Sequence, residues 1–531
     1  MTIRKQLTCT GTFLFLTLLA EASSISGELS YEKVVYSRPY SNQTQEVTKI
    51  VAIPKATVVA KNTDGDIVGE TQTNNKGEFV IEIDSADEAI LFVLTENNHS
   101  KVGGSQRGKL IEKVHAYPLG KQKIPSHNVD ATIKGELANA FNVFAQLVKA
   151  KRWMNKNNIK TDAPLNAVWP ASSTRFEPGN GIIFIQGTDS DPDGYDDDII
   201  FHEFGHWLVE NISTDHSMGG YHTINSQCDL RLSWSEGLAH YISSLVRNDP
   251  THIDSLGTKT GKSSDVSFFD ISKPKPAGWG SDVEIAVSSV LWNISLTSEG
   301  KKKVLETLQE LPNHASNSPS QQATLDLFFE VWSGSPTGEE LKEQTQSRNM
   351  AYQADQQGQQ NISKSTHISD PSNAQFHDLT FYPRGDKDYF SFTAEAGKSY
   401  DIETGYCKNG ALTQLKIYKA GSQELVTSNA QRAGVNSNMS SYIFLQAEEN
   451  QEYIVEVSRF NSLSKNYGPG ASAGYNLTAG DYGSYSFSIS QTQSDSSNPN
   501  RTSFNDFEPS NNEVSVFTNR TQSGGGGCLL K

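Results

Sequence analysis

Hydrophobic residues follow two different rhythms along this chain. Between residues 47 and 95 they alternate with polar ones. In "KATVVAKNTDGDIVGETQTNNKGEFVIEI", Phe79, Ile81 and Ile83 fall on one side of an extended backbone, and Asp64-Gly65 and Lys76-Gly77 supply turn chemistry. Short strands and a hairpin are predicted there. From about Asp130 the period lengthens: "GELANAFNVFAQLVKAKRWMNK" sets Leu137, Phe141, Phe144 and Leu147 on one face, as an amphipathic helix requires. After the extended apolar run "GIIFIQG", the helical period returns with Ile200, Phe204 and Leu208, then with Leu238, Ile242 and Leu245. A further helix, "DVEIAVSSVLWNIS", reads as packing, with Ile285, Val290 and Leu291 turned to a core. From about 366 to 490 the alternation resumes in Phe390 and Phe392, Tyr400 and Ile402, Tyr453, Val455 and Val457, and Tyr485, Phe487 and Ile489. Half-buried strands of this kind pack naturally as a β-sandwich.

The predicted class is therefore α+β. A helical segment at 126–360 stands between a β-rich region at 23–125, with a small sandwich near 47–95, and a C-terminal sandwich at 366–490. A length of 531 residues is too great for one core and agrees with such a division. The formal net charge of -16 leaves no basic surplus to neutralise phosphates, so a nucleic-acid partner is not expected. The N-terminus has a basic start at Arg4 and Lys5, an apolar run to about Ala20 and the small-residue site Ala20-Glu21-Ala22. This pattern predicts a signal peptide over residues 1–22, export, and no membrane span after its removal. Cys228, Cys407 and Cys528 then remain, too few and too scattered for a disulfide framework. The tail 491–531 is rich in Ser, Asn, Gln and Gly, ends in "SGGGGCLLK", and is expected to be disordered.

Chemistry concentrates in "DDDIIFHEFGHWLVEN", residues 196–211. On a helix His202 and His206 lie about 40° apart and Glu203 about 100° from His202, so the three share one side while the apolar stripe holds the other. Two imidazoles so placed can meet one ion. Asp196, Asp197 and Asp198 are suited to capping the helix and to its positive end. A catalytic zinc needs a third protein ligand. A histidine three residues past a glycine, the arrangement of metzincins, is excluded because position 209 is Val and position 212 is Ile. Glu236 stands thirty residues past His206, beside Gly237 and Ala239, small residues that permit close helix approach.

The pair of motifs resembles the gluzincin clan of zinc peptidases, in which a Glu ligand, often followed by Gly-x-Ala, comes after the His-Glu-x-x-His helix. That resemblance implies a zincin-like catalytic domain, one zinc held by His202, His206 and Glu236, and Glu203 as catalytic base acting on a protein or peptide. It departs at one position. Thermolysin-like enzymes carry an acid one turn after the Glu ligand, and here that residue is His240. "GDKDYFSFTAEAGKSYDIET", "EYIVEV" and "GSYSFSI" are similar to the bacterial pre-peptidase C-terminal domain, and residues 47–95 resemble the prealbumin-like or carboxypeptidase-regulatory-like sandwich. The expected function is that of a secreted zinc metallopeptidase. The alternative is an extracellular binding or adhesion protein whose peptidase-like domain is inert.

Three weaker signals remain. Tyr221 and His222, after Gly219-Gly220, are candidate donors to an oxyanion, with ordinary loop residues as the alternative. Asp189, Asp191, Asp193 and Gly194 have the spacing of a calcium loop that lacks its twelfth-position glutamate, because residue 200 is Ile; an acidic turn is the other reading. Cys228 is a soft ligand type but reads better as a small buried residue.

Overall fold

The computed structural model describes residues 23–492, apart from 38–44, 84–86, 107–108, 189–190, 218, 221, 258–262, 274–279, 318–320, 334–338, 349, 351, 356–360, 431–439 and 461–481. The expected signal peptide and almost all of the C-terminal tail lie outside the described residues.

The first strand, Ser24–Ser37, serves two neighbours in turn. Its early residues pair antiparallel with Glu78–Glu82 and its later ones with Gln45–Ala52, while Leu29 to Tyr31 also run parallel to Ala131–Ile133. Ile25, Leu29 and Tyr31 are fully buried, as one face of an extended strand must be. A second sheet has the order Ile67–Gln72, Thr57–Lys61, Glu88–Leu94, Ala116–Lys123, and buries Ala89, Leu91 and Val93 in period two. Phe79, Ile81 and Ile83 are buried as the pattern predicts. Gly77 has φ +84, and a Cβ there would stand 2.2 Å from the carbonyl oxygen of Leu29, so both conformation and space require glycine.

The central region carries a sheet in the order Arg175–Glu177, Ile182–Thr188, Leu165–Ala171, Ser100–Gln106, Lys109–Val114. Its middle strands are parallel, and Arg175–Glu177 is an antiparallel edge. Helices α1 (Glu136–Lys156), α2 (Asp197–Ile212), α3 (Leu230–Arg247) and α4 (Glu284–Ile294) pack beside it, followed by α5 (Ser298–Glu310), α6 (Leu325–Ser333) and α7 (Glu339–Gln346). Phe141, Phe144 and Leu147 of α1 are fully buried. Helix α3 is buried along nearly its whole length, because it lies between α2 and α4.

Residues 366–492 form two antiparallel-rich sheets, one of five strands and one of four. Every residue named from the alternation between Phe390 and Ile489 is buried. Phe390 stacks on Phe487 at 4.5 Å between ring centres, joining the two sheets. One continuous apolar core extends from Ile25 through the helices to Tyr352 and takes in Tyr482, whereas the C-terminal sandwich has a separate core from Ile368 to Ile489. The fold is thus rich in β-sheet with several sandwich-like layers. The two bodies meet through polar and aromatic contacts: Asn409 Oδ1 accepts the Ser281 N–H at 2.8 Å, and Tyr482 donates its hydroxyl to Glu330 at 3.1 Å while its ring meets that of Tyr352 at 5.6 Å. Among the described residues no helix is long and apolar enough to cross a membrane.

Candidate metal centre

Helix α2 is fixed by its surroundings on three sides. Ile200, Phe204, Trp207 and Leu208 are fully buried, and the Trp153 ring of α1 meets Phe204 edge-on at 6.4 Å. The acidic run ahead of it does not cap it as the sequence suggests. Asp196 occupies the N-cap without a side-chain cap bond, because its carboxylate accepts the N–H and hydroxyl of Ser255 at 3.1 and 2.7 Å. Asp198 accepts the Ile253 N–H at 3.1 Å and pairs with Arg247, and Asp197 pairs with Lys33 and accepts from Asn142 at 3.2 Å. These acids tie the helix start to strands Thr251–Gly257 and Ser24–Ser37 while still favouring its positive end.

Helices α2 and α3 cross at Gly205 and Ala239, where a Cβ on Gly205 would lie 2.8 Å from the Ala239 Cα. That approach brings the four singled-out residues together. His202 Nε2 stands 3.1 Å from Glu236 Oε2, His206 Nε2 stands 3.3 Å from the same oxygen, and the two Nε2 atoms are 3.1 Å apart. A tetrahedral zinc shell with bonds of about 2.0–2.1 Å separates its donors by about 3.3–3.4 Å, so this donor set fits such an ion in both spacing and type. Glu203, 2 % exposed, faces the same cleft and is hydrogen-bonded by the backbone of Phe176 on the edge strand. The cleft holds about 250 Å³ and is lined by Phe176, Glu203, His206, Asp215, His222 and Glu236 among others.

Burial and mutual charge push these groups apart in pKa. Burial lifts the Glu203 carboxyl to about 7, with the Glu236 charge adding to it and His206 opposing. Burial drives His202 down to about 4, against the pull of Glu236. His206 suffers the same burial, yet the Glu236 and Glu203 carboxylates raise it to about 9. For Glu236 the neighbouring imidazoles outweigh burial and hold it well below the usual carboxylate range.

The outward nitrogens of both imidazoles have partners that the sequence did not disclose. His206 Nδ1 lies 3.4 Å from the Ser235 hydroxyl, which donates to Asp215 Oδ2 at 2.6 Å. His202 Nδ1 lies 3.1 Å from Nδ1 of His240, the residue standing where the thermolysin-like pattern has an acid. Burial, and after it the neighbouring His202 and His252, push the His240 pKa well down. Helix α4 does more than pack: its first residues bring Glu284, whose Oε1 is 2.6 Å from His222 Nδ1. His222 Nε2 faces Glu236 Oε1 at 3.7 Å, while Tyr221 lies outside the described residues. His216 accepts the Ala323 N–H and Arg231 pairs with Asp229, so both are occupied structurally. Cys228 directs its thiol to the Asp282 carbonyl at 3.6 Å.

Asp189 and the side chain of Asp191 lie outside the described residues. Asp193 is buried, accepts the Thr174 hydroxyl and groups with Asp196 and Asp254, one oxygen of each lying within 4.8 Å of the others.

Residues 148–355 match the Mycolysin C-terminal domain family, a stretch that contains α2, α3 and α4 and every residue of the centre. An uncharacterized protein of Archaeoglobus fulgidus is 28% identical over 137 residues, which are 22% of this chain and 37% of that protein. The chain thus matches little more than a third of that relative's length. Among solved structures, the pre-peptidase C-terminal domain of a Bacillus anthracis collagenase is similar at 13% identity over 24% of this chain and 94% of its own, with a TM-score of 0.16. The lysozyme inhibitor PliG of Aeromonas hydrophila is similar at 12% identity over 24% of this chain and 96% of its own, with a TM-score of 0.17.

Proposed function

We propose that this protein is a secreted zinc-dependent metallopeptidase of gluzincin type, with a zincin-like catalytic region carrying a pre-peptidase C-terminal-like sandwich behind it. The observation that carries the proposal is the convergence of His202 Nε2, His206 Nε2 and Glu236 Oε2 at 3.1–3.3 Å with Glu203 in the same cleft. The Mycolysin C-terminal domain is typical of secreted peptidases, which favours the same reading. Zinc bound there would supply a Lewis acid that polarises a peptide carbonyl and lowers the pKa of water toward neutrality.

The chain's own residues supply the rest. Glu203 follows His202 directly and cannot turn to the same ligand point, but its carboxyl, lifted toward neutrality by burial, can take a proton from the attacking water and return it to the departing amine. The edge strand Arg175–Glu177 borders the cleft and offers backbone groups to an extended peptide. His222 turns Nε2 toward the same space, and although burial lowers its pKa the Glu236 and Glu284 carboxylates raise it to about 9, so Nε2 carries a proton that a developing carbonyl oxyanion could accept.

The purified protein should contain one zinc per chain and hydrolyse an unstructured protein such as casein. Replacing Glu203 with Gln should abolish hydrolysis and leave the zinc in place. Metal-free protein with normal folding would instead favour the binding or adhesion role.

A further inference from the structure

Glu284 is 1 % exposed, and a buried carboxylate persists only where partners compensate its lost hydration. Among the described residues its ion-pair partners are two imidazoles, one on each oxygen. Oε1 takes the Nδ1–H of His222 at 2.6 Å, and Oε2 faces His240 Nε2 at 3.9 Å. That Nε2 is buried and has no hydrogen-bond partner among the described residues.

The two contacts specify tautomers. An imidazole that binds a metal through Nε2 carries its proton on Nδ1 and needs an acceptor there. For His202 that acceptor is His240 Nδ1, at 3.1 Å. To accept at Nδ1, His240 must hold its single ring proton on Nε2, the atom that faces Glu284. The negative charge across 3.9 Å of buried interior favours that placement. Likewise the short bond from His222 Nδ1 to Glu284 aims Nε2 of His222 into the cleft, toward Glu236.

We propose that Glu284 is a positioning residue of the centre: one buried carboxylate anchors His222 through its Nδ1–H and sets the tautomer of His240, and through His240 that of His202. It replaces, by a relay, the acid that thermolysin-like enzymes hold at position 240. The proposal rests on the metallopeptidase reading for its consequences, but its physical content, the tautomers, can be read without activity.

The test uses the full chain with histidine-selective 15N labelling, zinc affinity by chelator competition, and casein hydrolysis. In the wild type, the nitrogen shifts should report His240 protonated on Nε2 alone and His222 carrying a proton on Nδ1 as well as on Nε2. Glu284→Gln should disturb both, lower zinc affinity by about tenfold to a hundredfold, and lower kcat with little change in KM. His240→Asp places a carboxylate oxygen where Nδ1 stood, the same number of bonds from the backbone. The double variant H240D/E284Q should therefore regain zinc affinity yet keep the low kcat, because His222 stays unanchored. Unchanged tautomers and zinc affinity in E284Q, or no regain in the double variant, would overturn the proposal. If E284Q does not fold, H240D alone decides: zinc binding as tight as the wild type supports the relay, and a tenfold loss refutes it. A wild type with the expected tautomers but neither zinc nor hydrolysis would sink the peptidase reading and leave the role of Glu284 standing.

Discussion

Gly205→Ala is the most direct probe of how the centre is assembled. Gly205 lies between His202 and His206 on α2, and its new methyl would stand 2.8, 3.1 and 3.2 Å from the Cα, carbonyl oxygen and Cβ of Ala239 on α3. Carbon atoms in comfortable contact are about 3.5–4.0 Å apart, so the helices must separate by roughly 0.7 Å at the crossing. The obstacle is backbone and cannot swing aside. Ala239 is three residues past Glu236, so the same displacement carries the carboxylate away from both imidazoles. Metal sites tolerate errors of about 0.2 Å in donor position. Overpacking costs about 1–3 kcal/mol, against which the better helix propensity of Ala over Gly returns up to about 1 kcal/mol. The metal-free protein should therefore lose between about 0 and 3 kcal/mol, while zinc affinity should fall by tenfold or more, about 1.4 kcal/mol. Urea unfolding with and without zinc separates the two, because binding adds to stability in proportion to the logarithm of the occupancy ratio. If G205A binds zinc as tightly as the wild type and unfolds at the same urea concentration, the close helix crossing does not set the donor geometry and the reasoning fails.

Three other outcomes are expected. Ser235→Ala removes the hydroxyl between His206 and Asp215 and should weaken zinc binding by up to about tenfold; chelator competition checks it, and unchanged affinity would contradict the link. Asp282 is buried and its carboxyl is pushed up to about 6, chiefly by burial and against hydrogen bonds that include Gly410 and Gln227. The folded state then holds this proton more tightly than the unfolded one, so stability falls as pH rises from about 4 to 6 and stays low above that, by up to about 3 kcal/mol. Asp282→Asn should raise the melting temperature at pH 7.5 and change it little near pH 4; an equal difference at both pH values would refute the assignment. Calorimetry should resolve two transitions, since the C-terminal sandwich has its own core, and zinc should raise only the one belonging to residues before Tyr352.

Much of the centre was legible because its geometry is local. Residues four apart on a helix must share a face, so His202, Glu203 and His206 declared themselves, and the small residues after Glu236 announced a close neighbour. The structure divides those small residues between two partners: Ala239 meets α2, while Gly237 meets α4, where a Cβ would lie 2.6 Å from Val287 Cβ. What the sequence hid depends on distant segments. Glu284 sits 48 residues after Glu236 in an apolar helical pattern, where a glutamate in the first turn looks like ordinary helix-end chemistry. Its meaning comes from burial against two histidines. Ser235 and Asp215 carry no spacing signal at all. The misread acids at 196–198 show the same effect in reverse: local rules offered them as caps, and tertiary partners on Ser255, Ile253 and Lys33 claimed them first.

The strand Ser24–Ser37 has a further consequence. It lends Lys33 to Asp197 and the carbonyl of Glu32 to the Tyr195 hydroxyl, so the earliest described segment of the chain braces the helix that bears both imidazoles. Anyone trimming this protein down to its central region, or transplanting its centre into another scaffold, would have to carry that splint along. Cutting at residue 126, where the helical segment begins, would leave the histidines on a loose peg.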